Sequence, residues 1–537
     1  MKAPSSNFVF SQIPSVVRPR SKFNRDRYYK STFNAGLLIP FFLDEVLPGD
    51  TFSVSTTSFA RLSTLITPFM DNLYLDFFFF FVPNRLVWDN WQRFCGEQDN
   101  PEDSTDFLVP QINSSISSLS LGDYFGLPVI GRDISFSALP FRAYNLIWNE
   151  FFRDENLQNS LTVPKDDGPD NINLYKLRYR GKRKSNQFTS ALPWPQKGPG
   201  VELPIGGTAP VIGNGNALGV SFSSSSLRYL AGNGSAFVVA NNSTPPVLPA
   251  STSATAAPSN NVFYGVSTDP EKSGLIADLS SATAVTINSM REAFQVQKWY
   301  EQLARGGSRY RELLLSMFGV NTGDARLQRP EYLGGGSTPI QVHSVVQASA
   351  TDSVSPQGNL AGYGIAGANG IGFQKSFVEH GHVIGLVSVR GDYGFQQGID
   401  RMWSRRTKFD FYWPAFAHLG EVPVLNKEIY VQPSAADASL DDQAFGYQER
   451  WYEYRYANNH ITGKLRSGIT GSLDIWHLAQ YFANTPTLNS TFIEENPPVN
   501  RVLAVQTEPQ FIFDSVIRCR CSRVMPVYST PGLVDHF

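Results

Sequence analysis

Residues 73–91 read LYLDFFFFFVPNRLVWDNW, and five consecutive phenylalanines, Phe77–Phe81, dominate this stretch. Burying one Phe side chain is worth about 1.5–3 kcal/mol, so the run contributes on the order of 8–15 kcal/mol, comparable with the net stability of a domain. A membrane-spanning helix needs about 20 apolar residues, whereas Asp76 precedes this run and Pro83 follows it closely. Successive side chains of a strand point to opposite faces. The stretch therefore predicts a strand covered on both faces, by a second layer or by a neighbouring subunit.

The composition of the chain suits a large core with many turns. Of 537 residues, 42% are hydrophobic and 13% aromatic, and the formal net charge of −2 argues against a globally basic nucleic-acid binder. Cys95, Cys519 and Cys521 are too few and too unevenly spaced for a disulfide framework. The first residues lack the apolar core of a signal peptide, and no transmembrane helix is evident. We therefore expect a protein that is made and folded in a reducing cytoplasm.

Strand patterns dominate most of the chain. Alternating apolar residues predict strands over 51–62 and 510–524 and, with Phe409, Phe411 and Trp413, over 407–413. Apolar residues at helical spacing predict helices over 84–94, where Trp88 and Trp91 are packing residues, and over 138–157, 291–305 and 309–320. Ser308 is the expected N-cap of the last helix. The pattern predicts a mainly β fold with helices in the connections.

Residues 201–280 differ from the rest of the chain. Between residues 201 and 270 the only charged side chains are Glu202, Arg228 and Asp269, in a background of Ser, Gly, Asn, Thr, Ala and Pro. A disordered linker usually carries more charge and fewer aliphatic residues. We therefore interpret the segment as a turn-rich insertion with short strands, although a loose loop is the alternative. Its composition suits a surface that makes contacts without a fixed electrostatic partner.

Residues 1–35 are predicted to form a basic N-terminal arm. Its stretch RPRSKFNRDRYYK, from Arg18 to Lys30, carries six positive charges against one acid, with two interleaved tyrosines. Unpaired cations and aromatic rings suit single-stranded nucleic acid, where cations follow phosphates and rings stack on bases. A solvated tail, or an arm that links neighbouring subunits, is the alternative. The residues predicted to contact DNA are Arg18, Arg20, Lys22, Arg25, Arg27 and Lys30.

No pattern in the sequence indicates an enzyme or a cofactor. The glycine-rich stretch near residue 364 matches neither phosphate-binding motif, and no GxSxG or HExxH is present. His380 and His382 lie on one side of a predicted strand but lack a third ligand. Cys519 and Cys521 lack a second pair. We expect no catalytic residue, no metal and no cofactor.

Several long stretches resemble the major capsid proteins of gokushoviruses, a branch of the microviruses, which are small bacteriophages with circular single-stranded DNA. The resemblance covers nearly the whole chain except about residues 201–280. His382 is one departure, because an aromatic residue is more usual there. The stretches include NAGLLIPFFLDEVLPGDTF, MDNLYLDFFFFFVPNRLVWDNW, LPFRAYNLIWNEFFRDENL, FTSALPWPQKG, TINSMREAFQVQKWYEQLARGGSRYRELLLSMFGV, RLQRPEYLGGGSTPI, FVEHGHVIGLVSVR and CRCSRVMPVYSTPGL.

The resemblance implies an eight-stranded antiparallel jelly roll, formed by residues 36–200 and 281–537, that assembles into a T=1 icosahedral shell around the phage genome. It implies that residues 201–280 form a spike at the threefold axes that binds a host-cell receptor. The implied partners are further copies of the chain, the single-stranded DNA genome, a small basic DNA-binding protein and a scaffolding protein, without membrane insertion. The expected location is the virion, after assembly in the bacterial cytoplasm. In this setting Phe77–Phe81 pack in the core or between subunits.

Two other classes of protein remain open from the residues alone. A bacterial outer-membrane β-protein would be aromatic and rich in strands, but its strands need an alternating lipid-facing band. A carbohydrate-binding β-sandwich would use aromatic side chains for stacking on sugars. Neither the signal peptide that secretion requires nor a facing carboxylate pair for sugar cleavage is visible in the sequence.

Overall fold

The computed structural model describes residues 19–182, 184–201, 287–321, 323–349 and 356–528, together with six short strands between residues 211 and 277. The fold is mainly β, with one large curled antiparallel sheet that is consistent with a jelly roll, and this confirms the predicted fold class. The chain divides into two compact units, one of Met1–Lys197 with Glu301–Phe537 and the other of Gly198–Tyr300.

The strands of the described residues are numbered in chain order. They are β1 Ser21–Asn24, β2 Arg27–Phe33, β3 Ile39–Val46, β4 Thr51–Leu65, β5 Leu73–Pro83, β6 Gln111–Ser114, β7 Ile134–Ser137, β8 Val211–Gly213, β9 Gly219–Phe222, β10 Leu227–Leu230, β11 Phe237–Ala240, β12 Val262–Tyr264, β13 Leu275–Ala277, β14 Glu331–Val346, β15 Leu360–Ser376, β16 Gly381–Gly391, β17 Glu421–Leu425, β18 Ala444–Glu449 and β19 Phe511–Arg523.

The large sheet has the strand order β1-β19-β4-β15-β14-β5-β16-β3. Strand β2 also pairs with β19, beside residues 511–517, while β1 pairs beside residues 520–523. Nine strands therefore occupy eight positions. In the first unit β17 pairs with β18 and β6 with β7; in the second, β11-β10-β9-β12 form one small sheet and β13-β8 another.

Strand β14 joins the two halves of the large sheet. Its residues 331–340 pair with β5, and residues 341–346 pair with β15. The half that contains β19, β4 and β15 thereby turns to face the half that contains β5, β16 and β3. Phe41 of β3 shows how close the halves are, because its ring lies 6.0 Å from that of Phe513 on β19.

The phenylalanine run lies in the middle of β5 and divides by parity. Phe77, Phe79 and Phe81 are buried between the two halves of the sheet. The ring of Phe41 lies 5.6 Å from each of the rings of Phe77 and Phe79. Across the two halves, Phe77 lies 6.2 Å from Phe513 of β19 and Phe79 lies 5.3 Å from Phe373 of β15, so the odd positions form the centre of the main core.

The even positions of the run face a helical layer of the same chain. Phe80 is buried and Phe78 is half-buried, both in a second apolar cluster with the 139–152 helical segment. The ring of Phe80 lies 4.7 Å from that of Phe151, and Phe78 lies 5.2 Å from Phe152. The predicted strand with two covered faces is present, and its own chain supplies both covers. A neighbouring subunit is not needed to bury the run.

Glycines make room for the bulky run on its neighbouring strand. Gly334, Gly335 and Gly336 of β14 pair with Phe79, Phe78 and Phe77. A Cβ atom on Gly335 would lie 2.1 Å from the carbonyl oxygen of Phe77. The Gly triplet therefore allows β14 to pass beside β5 without displacing its backbone.

A buried arginine fixes the helical layer to the loops that surround it. Arg142 is fully buried and donates two hydrogen bonds to the Asp170 carboxylate, at 2.8 and 2.6 Å, and one to the carbonyl of Val87 at 3.0 Å. Tyr144 donates from its hydroxyl to the carbonyl of Leu38 at 2.9 Å. A buried charge is tolerated only when it is paired and hydrogen-bonded, and here both conditions are met.

Two predicted helices are shorter than their patterns suggested. Over 84–94 the chain forms a 3₁₀ turn and one short helix, while the 138–157 pattern gives a helix that continues as a π-helix to Phe152. The predicted cap Ser308 is wrong, because Arg309 occupies the N-cap position. The helices are α1 Trp91–Phe94, α2 Leu121–Tyr124, α3 Leu139–Ile147, π Trp148–Phe152, α4 Ile287–Arg305, α5 Tyr310–Phe318, α6 Asn426–Ile429 and α7 Ser490–Ile493.

Among the helices of the described residues, none combines the length and the apolar character that crossing a membrane requires.

Substitutions in the run test whether both faces of β5 are covered within one chain. Phe79→Ala and Phe80→Ala should each lower the free energy of unfolding by about 3–5 kcal/mol, because each leaves a cavity in a packed layer. Denaturant unfolding of the full chain at a concentration that precludes assembly measures this loss. Phe318→Ala is the control, since Phe318 is 76% exposed. A loss for Phe80→Ala no larger than that of the control would contradict the helical cover.

The stability of the body should fall in mild acid because of His382. Burial lowers the pKa of His382 to about 4, below the ordinary value of 6.5, and its Nδ1 has no partner within the described part of the chain. Above pH 6.5 the neutral imidazole makes its full contribution to the free energy of unfolding. As the pH drops towards 4 this contribution falls, by at most about 3 kcal/mol in total. Denaturant unfolding measured between pH 6.5 and 4 should show a smaller fall in the free energy of unfolding for His382→Phe than for the wild-type chain. His418→Phe is the control, because His418 is exposed. If the stability of His382→Phe falls with pH as much as that of the wild-type chain, His382 is not the cause of the acid sensitivity.

Candidate assembly and nucleic-acid surfaces

The basic stretch near the N-terminus is incorporated into the large sheet. Arg18 lies outside the described residues. Lys22 belongs to β1, Arg27 and Lys30 belong to β2, and both strands pair with β19. The described part of the stretch is extended, as its composition indicated, but it forms a sheet edge rather than a detached arm.

Acidic side chains pair with three of the predicted DNA-contacting residues. Arg25 and Arg27 point to the buried carboxylate of Asp44, with N···O distances of 2.7 and 3.5 Å. Lys30 pairs with Asp514 at 2.5 Å. The expectation that these three cations are unpaired is therefore wrong, and the reason is that their partners lie far away in sequence.

The other two described cations of the stretch are more accessible. Arg20 donates to the hydroxyl of Thr51 at 2.6 Å and to the carbonyl of Ser522 at 3.3 Å, both neutral groups, so its charge is not compensated there. Lys22 is exposed. Tyr28 is also exposed and points away from the core, whereas its neighbour Tyr29 packs against the core.

The two tryptophans predicted to pack do so to different extents. Trp88 is fully buried and donates from its indole nitrogen to the carboxylate of Asp167 at 2.7 Å. Trp91 is half-buried, with its ring 5.4 Å from that of His380. Both belong to the helical side of β5.

The thiols and imidazoles noted in the sequence are not arranged as a metal site. Cys519 and Cys521 are buried free cysteines, and burial raises the pKa of each thiol to about 11. A thiol with a raised pKa is a poor nucleophile and a poor metal ligand. Within the described residues no three His, Cys, Asp or Glu side chains group as metal ligands would. These cysteines pack in the core.

One cavity, of about 570 Å³, has many charged side chains in its wall, and several of them are paired. Arg180 in its wall binds Asp76 at 2.5 Å, and Lys184 binds Asp154 at 3.2 Å. Asp76 also accepts from Arg390 of β16 at 2.9 Å, so this carboxylate links β5 to its neighbouring strand and to the segment that carries Arg180. Lys182 in the same wall donates to the carbonyl of Phe492, and burial lowers the pKa of its amine to about 8.

A surface that the sequence analysis missed lies between residues 399 and 454. We call it the aromatic surface. Its side chains are large, apolar and between 38% and 74% exposed: Ile399, Met402, Trp403, Phe409, Phe411, Tyr412, Trp413, Leu419 and Tyr454.

The strand predicted over residues 407–413 is wrong, and its failure explains this exposure. Asp410 accepts hydrogen bonds from the backbone amides of Arg406 and Thr407, at 2.9 and 2.7 Å, which closes a turn. Pro414 then begins another 3₁₀ turn. Alternation of Phe and Trp indicated a half-buried strand, but local capping by a carboxylate and a proline overrides it.

The aromatic surface is held in place by cation–π contacts and hydrogen bonds. The Arg405 guanidinium lies 4.6 Å from the ring centre of Tyr454 and 5.3 Å from that of Phe411. Trp413 donates from its indole nitrogen to the carbonyl of Lys408 at 2.8 Å. Ordered side chains lose less entropy on association, so the surface is prepared for contact with another molecule.

The size of the aromatic surface is at the upper end of what a lone subunit exposes. Its six aromatic side chains are between 47% and 74% exposed, and together they present roughly 600 Å² at about 150–250 Å² per fully exposed ring. This equals the largest apolar patches of monomers and approaches the about 800 Å² per partner of a standard interface. Burial of this surface against another protein is therefore favourable.

Comparison with known proteins identifies the kind of protein to which these surfaces belong. Residues 11–533 match the model of the family described as "Capsid protein (F protein)". This family consists of structural capsid proteins and is not known for enzymatic activity, in agreement with the prediction that the chain is not an enzyme.

Three curated relatives match over nearly their full lengths. Capsid protein VP1 of Bdellovibrio phage phiMH2K is 47% identical over 538 aligned positions, covering 98% of each chain. Capsid protein VP1 of Chlamydia phage 1 is 44% identical and that of Spiroplasma virus 4 is 36% identical, each covering 98% of this chain and 97% of the relative. The gokushovirus-like resemblance is confirmed, and the chain belongs to the capsid protein (F protein) family of microviruses.

Proposed function

We propose that the chain is the structural subunit of a T=1 icosahedral shell that encloses a circular single-stranded DNA phage genome. The capsid role follows from the family. The observation that supports self-assembly is the aromatic surface, whose exposed apolar area matches the largest patches of monomers and approaches one side of a standard interface. The capsid family replaces the outer-membrane and carbohydrate-binding alternatives.

A closed shell makes specific demands on the subunit. Around fivefold and threefold axes each contact joins two different patches, and the contacts must close on themselves. The subunit therefore needs rigid, ordered surfaces on a complete body. The β5 core with both covers in one chain supplies such a body, and the aromatic surface supplies one contact patch.

We propose the remaining roles from the family and from composition. Residues 201–280 form the threefold surface spike that attaches to a host-cell receptor, because this segment has few charges and many small polar residues. Residues 1–35 face the interior of the particle. The shell forms in the host cytoplasm with a scaffolding protein, and a small basic viral protein accompanies the DNA.

Charged substitutions in the aromatic surface test assembly. The double variant Phe411→Glu with Trp413→Glu should remain folded by circular dichroism but form at least tenfold fewer particles, because buried unpaired carboxylates oppose contact. Sedimentation of particles formed with the viral companions measures the effect. Val378→Glu is the control, since Val378 is 88% exposed and outside the surface. Normal particle yield from the double variant would contradict this contact.

Replacement of residues 202–280 by a short Gly/Ser linker tests the spike. Particles should still form, because the large sheet uses no residue of this segment. Adsorption of particles to host cells should fall to background. The control exchanges the segment for the corresponding one of the Chlamydia phage 1 protein, which should also abolish adsorption to the original host. Unchanged adsorption after deletion would contradict host attachment by this segment.

A further inference from the structure

One face of the large sheet is open to solvent over five strands. On β19 the odd-numbered residues from Phe511 to Cys521 are buried, and the even-numbered ones point outwards. On β4 the alternation is reversed: Phe52 to Leu62 are buried at even positions. The outward face continues onto β1, β2 and β15, which flank this pair.

This outward face carries cations without partners. Lys22, Arg61, Arg518 and Arg520 are all exposed. In the described part of the chain none of the four makes an ion pair or donates a side-chain hydrogen bond. By contrast, Arg25 reaches around the sheet edge to a buried carboxylate. The four cations are therefore available to an external anion.

Few acids oppose them on the same strands. Across β1, β2, β4, β15, β19 and the turn between β1 and β2, the acidic residues are Asp26 and Asp514. Asp514 is paired with Lys30, and Asp26 accepts a hydrogen bond from the backbone amide of Cys519 at 2.9 Å. The outward face thus has an excess of uncompensated positive charge.

Two exposed aromatic rings lie between the cations. Phe59 is 49% exposed and Tyr28 is 76% exposed. The register places Phe59 opposite Asp514 and Tyr28 opposite Val516. The rings therefore occupy adjacent outward rows in the middle of β19. We call the six residues the outer basic face: Lys22, Tyr28, Phe59, Arg61, Arg518 and Arg520.

The positions of the cations follow from the same register. Arg61 lies opposite Ile512 at one end, and Lys22 lies opposite Ser522 at the other. Arg518 and Arg520 are two residues apart on one side of a strand, a separation of about 7 Å, and the face is about 30 Å long at about 3.4 Å per residue. Cations thus lie at both ends of this face, and the aromatic rings lie at its centre.

Small uncharged residues occupy the other outward positions of β4. They are Ser53, Ser55 and Thr57, which pair with Arg520, Arg518 and Val516. None of these side chains rises far above the sheet, so an extended polymer can lie along the strands. Their hydroxyl groups can hydrogen-bond phosphate or sugar oxygens.

We propose that the outer basic face binds single-stranded DNA, with its four cations at phosphates and with Phe59 and Tyr28 stacked on bases. Exposed rings on the outward face of a sheet can stack only on bases that are not already stacked in a duplex. The inference rests on the proposed function, in which the shell encloses such a genome. The proposal places the main DNA contacts on residues of β4 and β19 rather than on the paired residues Arg25, Arg27 and Lys30.

Affinity for a fluorescent oligo-dT across a salt series tests the cations. The full chain is compared with a triple variant, Arg61→Gln, Arg518→Gln and Arg520→Gln. Each lost phosphate contact on single strands removes about 0.7 from the slope of log affinity against log salt. The triple variant should therefore have a slope shallower by about 2. Arg132→Gln is the matched control, since Arg132 is exposed and without a partner among the described residues.

The rings have a different signature. Phe59→Leu and Tyr28→Leu should each weaken oligo-dT binding about tenfold, the scale of one lost base stack, and should leave the salt slope unchanged. Phe318→Leu is the control. A duplex of the same length should bind the wild-type chain more weakly than oligo-dT and should be insensitive to the ring variants.

Particle formation, measured in parallel by sedimentation, separates the inference from the proposed function. Normal particles with a shallower slope support the inference. A slope equal to that of Arg132→Gln overturns it, whether or not the shell forms. Loss of particles with unchanged DNA affinity also overturns it and makes the face a contact between copies. Failure of the wild-type chain to form particles with its viral companions overturns the proposed function instead.

Discussion

The contact of Phe41 with Phe77, Phe79 and Phe513 is the interaction on which the body of this protein depends. These rings belong to three strands from opposite halves of one curled sheet, and their interlocking holds the halves face to face. The distance between the two halves fixes the positions of the layers that lie outside them. The helical layer rests on the back of β5, and the outward face of β19 is directed away from it.

The sequence revealed the doubly covered strand because five adjacent phenylalanines leave no polar side for water. It could not reveal which ring faces which layer, since a uniform run has no parity of its own. Nor could it tell whether helices of the same chain or another subunit supply the second cover, because both would be apolar. The Gly triplet at 334–336 was a usable signal, for only a strand beside bulky side chains benefits from three adjacent glycines.

The two surfaces were harder to predict for different reasons. At residues 407–413 an aromatic alternation typical of strands is overridden by hydrogen bonds to Asp410, which act over four residues. In the basic stretch the local excess of charge was evident, but Asp514 lies 484 residues from its partner Lys30. Composition shows how many cations a segment has. Only the fold shows which of them are already neutralised, and that Arg61, Arg518 and Arg520 join Lys22 on one face.

The cover of β5 by helices of its own chain has a consequence for timing. A subunit whose central strand needs no neighbour can finish folding while it is still alone, and it exposes only its contact patches to the cell. Completed subunits can then accumulate as a reservoir. For the proposed shell, the start of assembly would then depend on subunit concentration rather than on the speed at which each polypeptide folds.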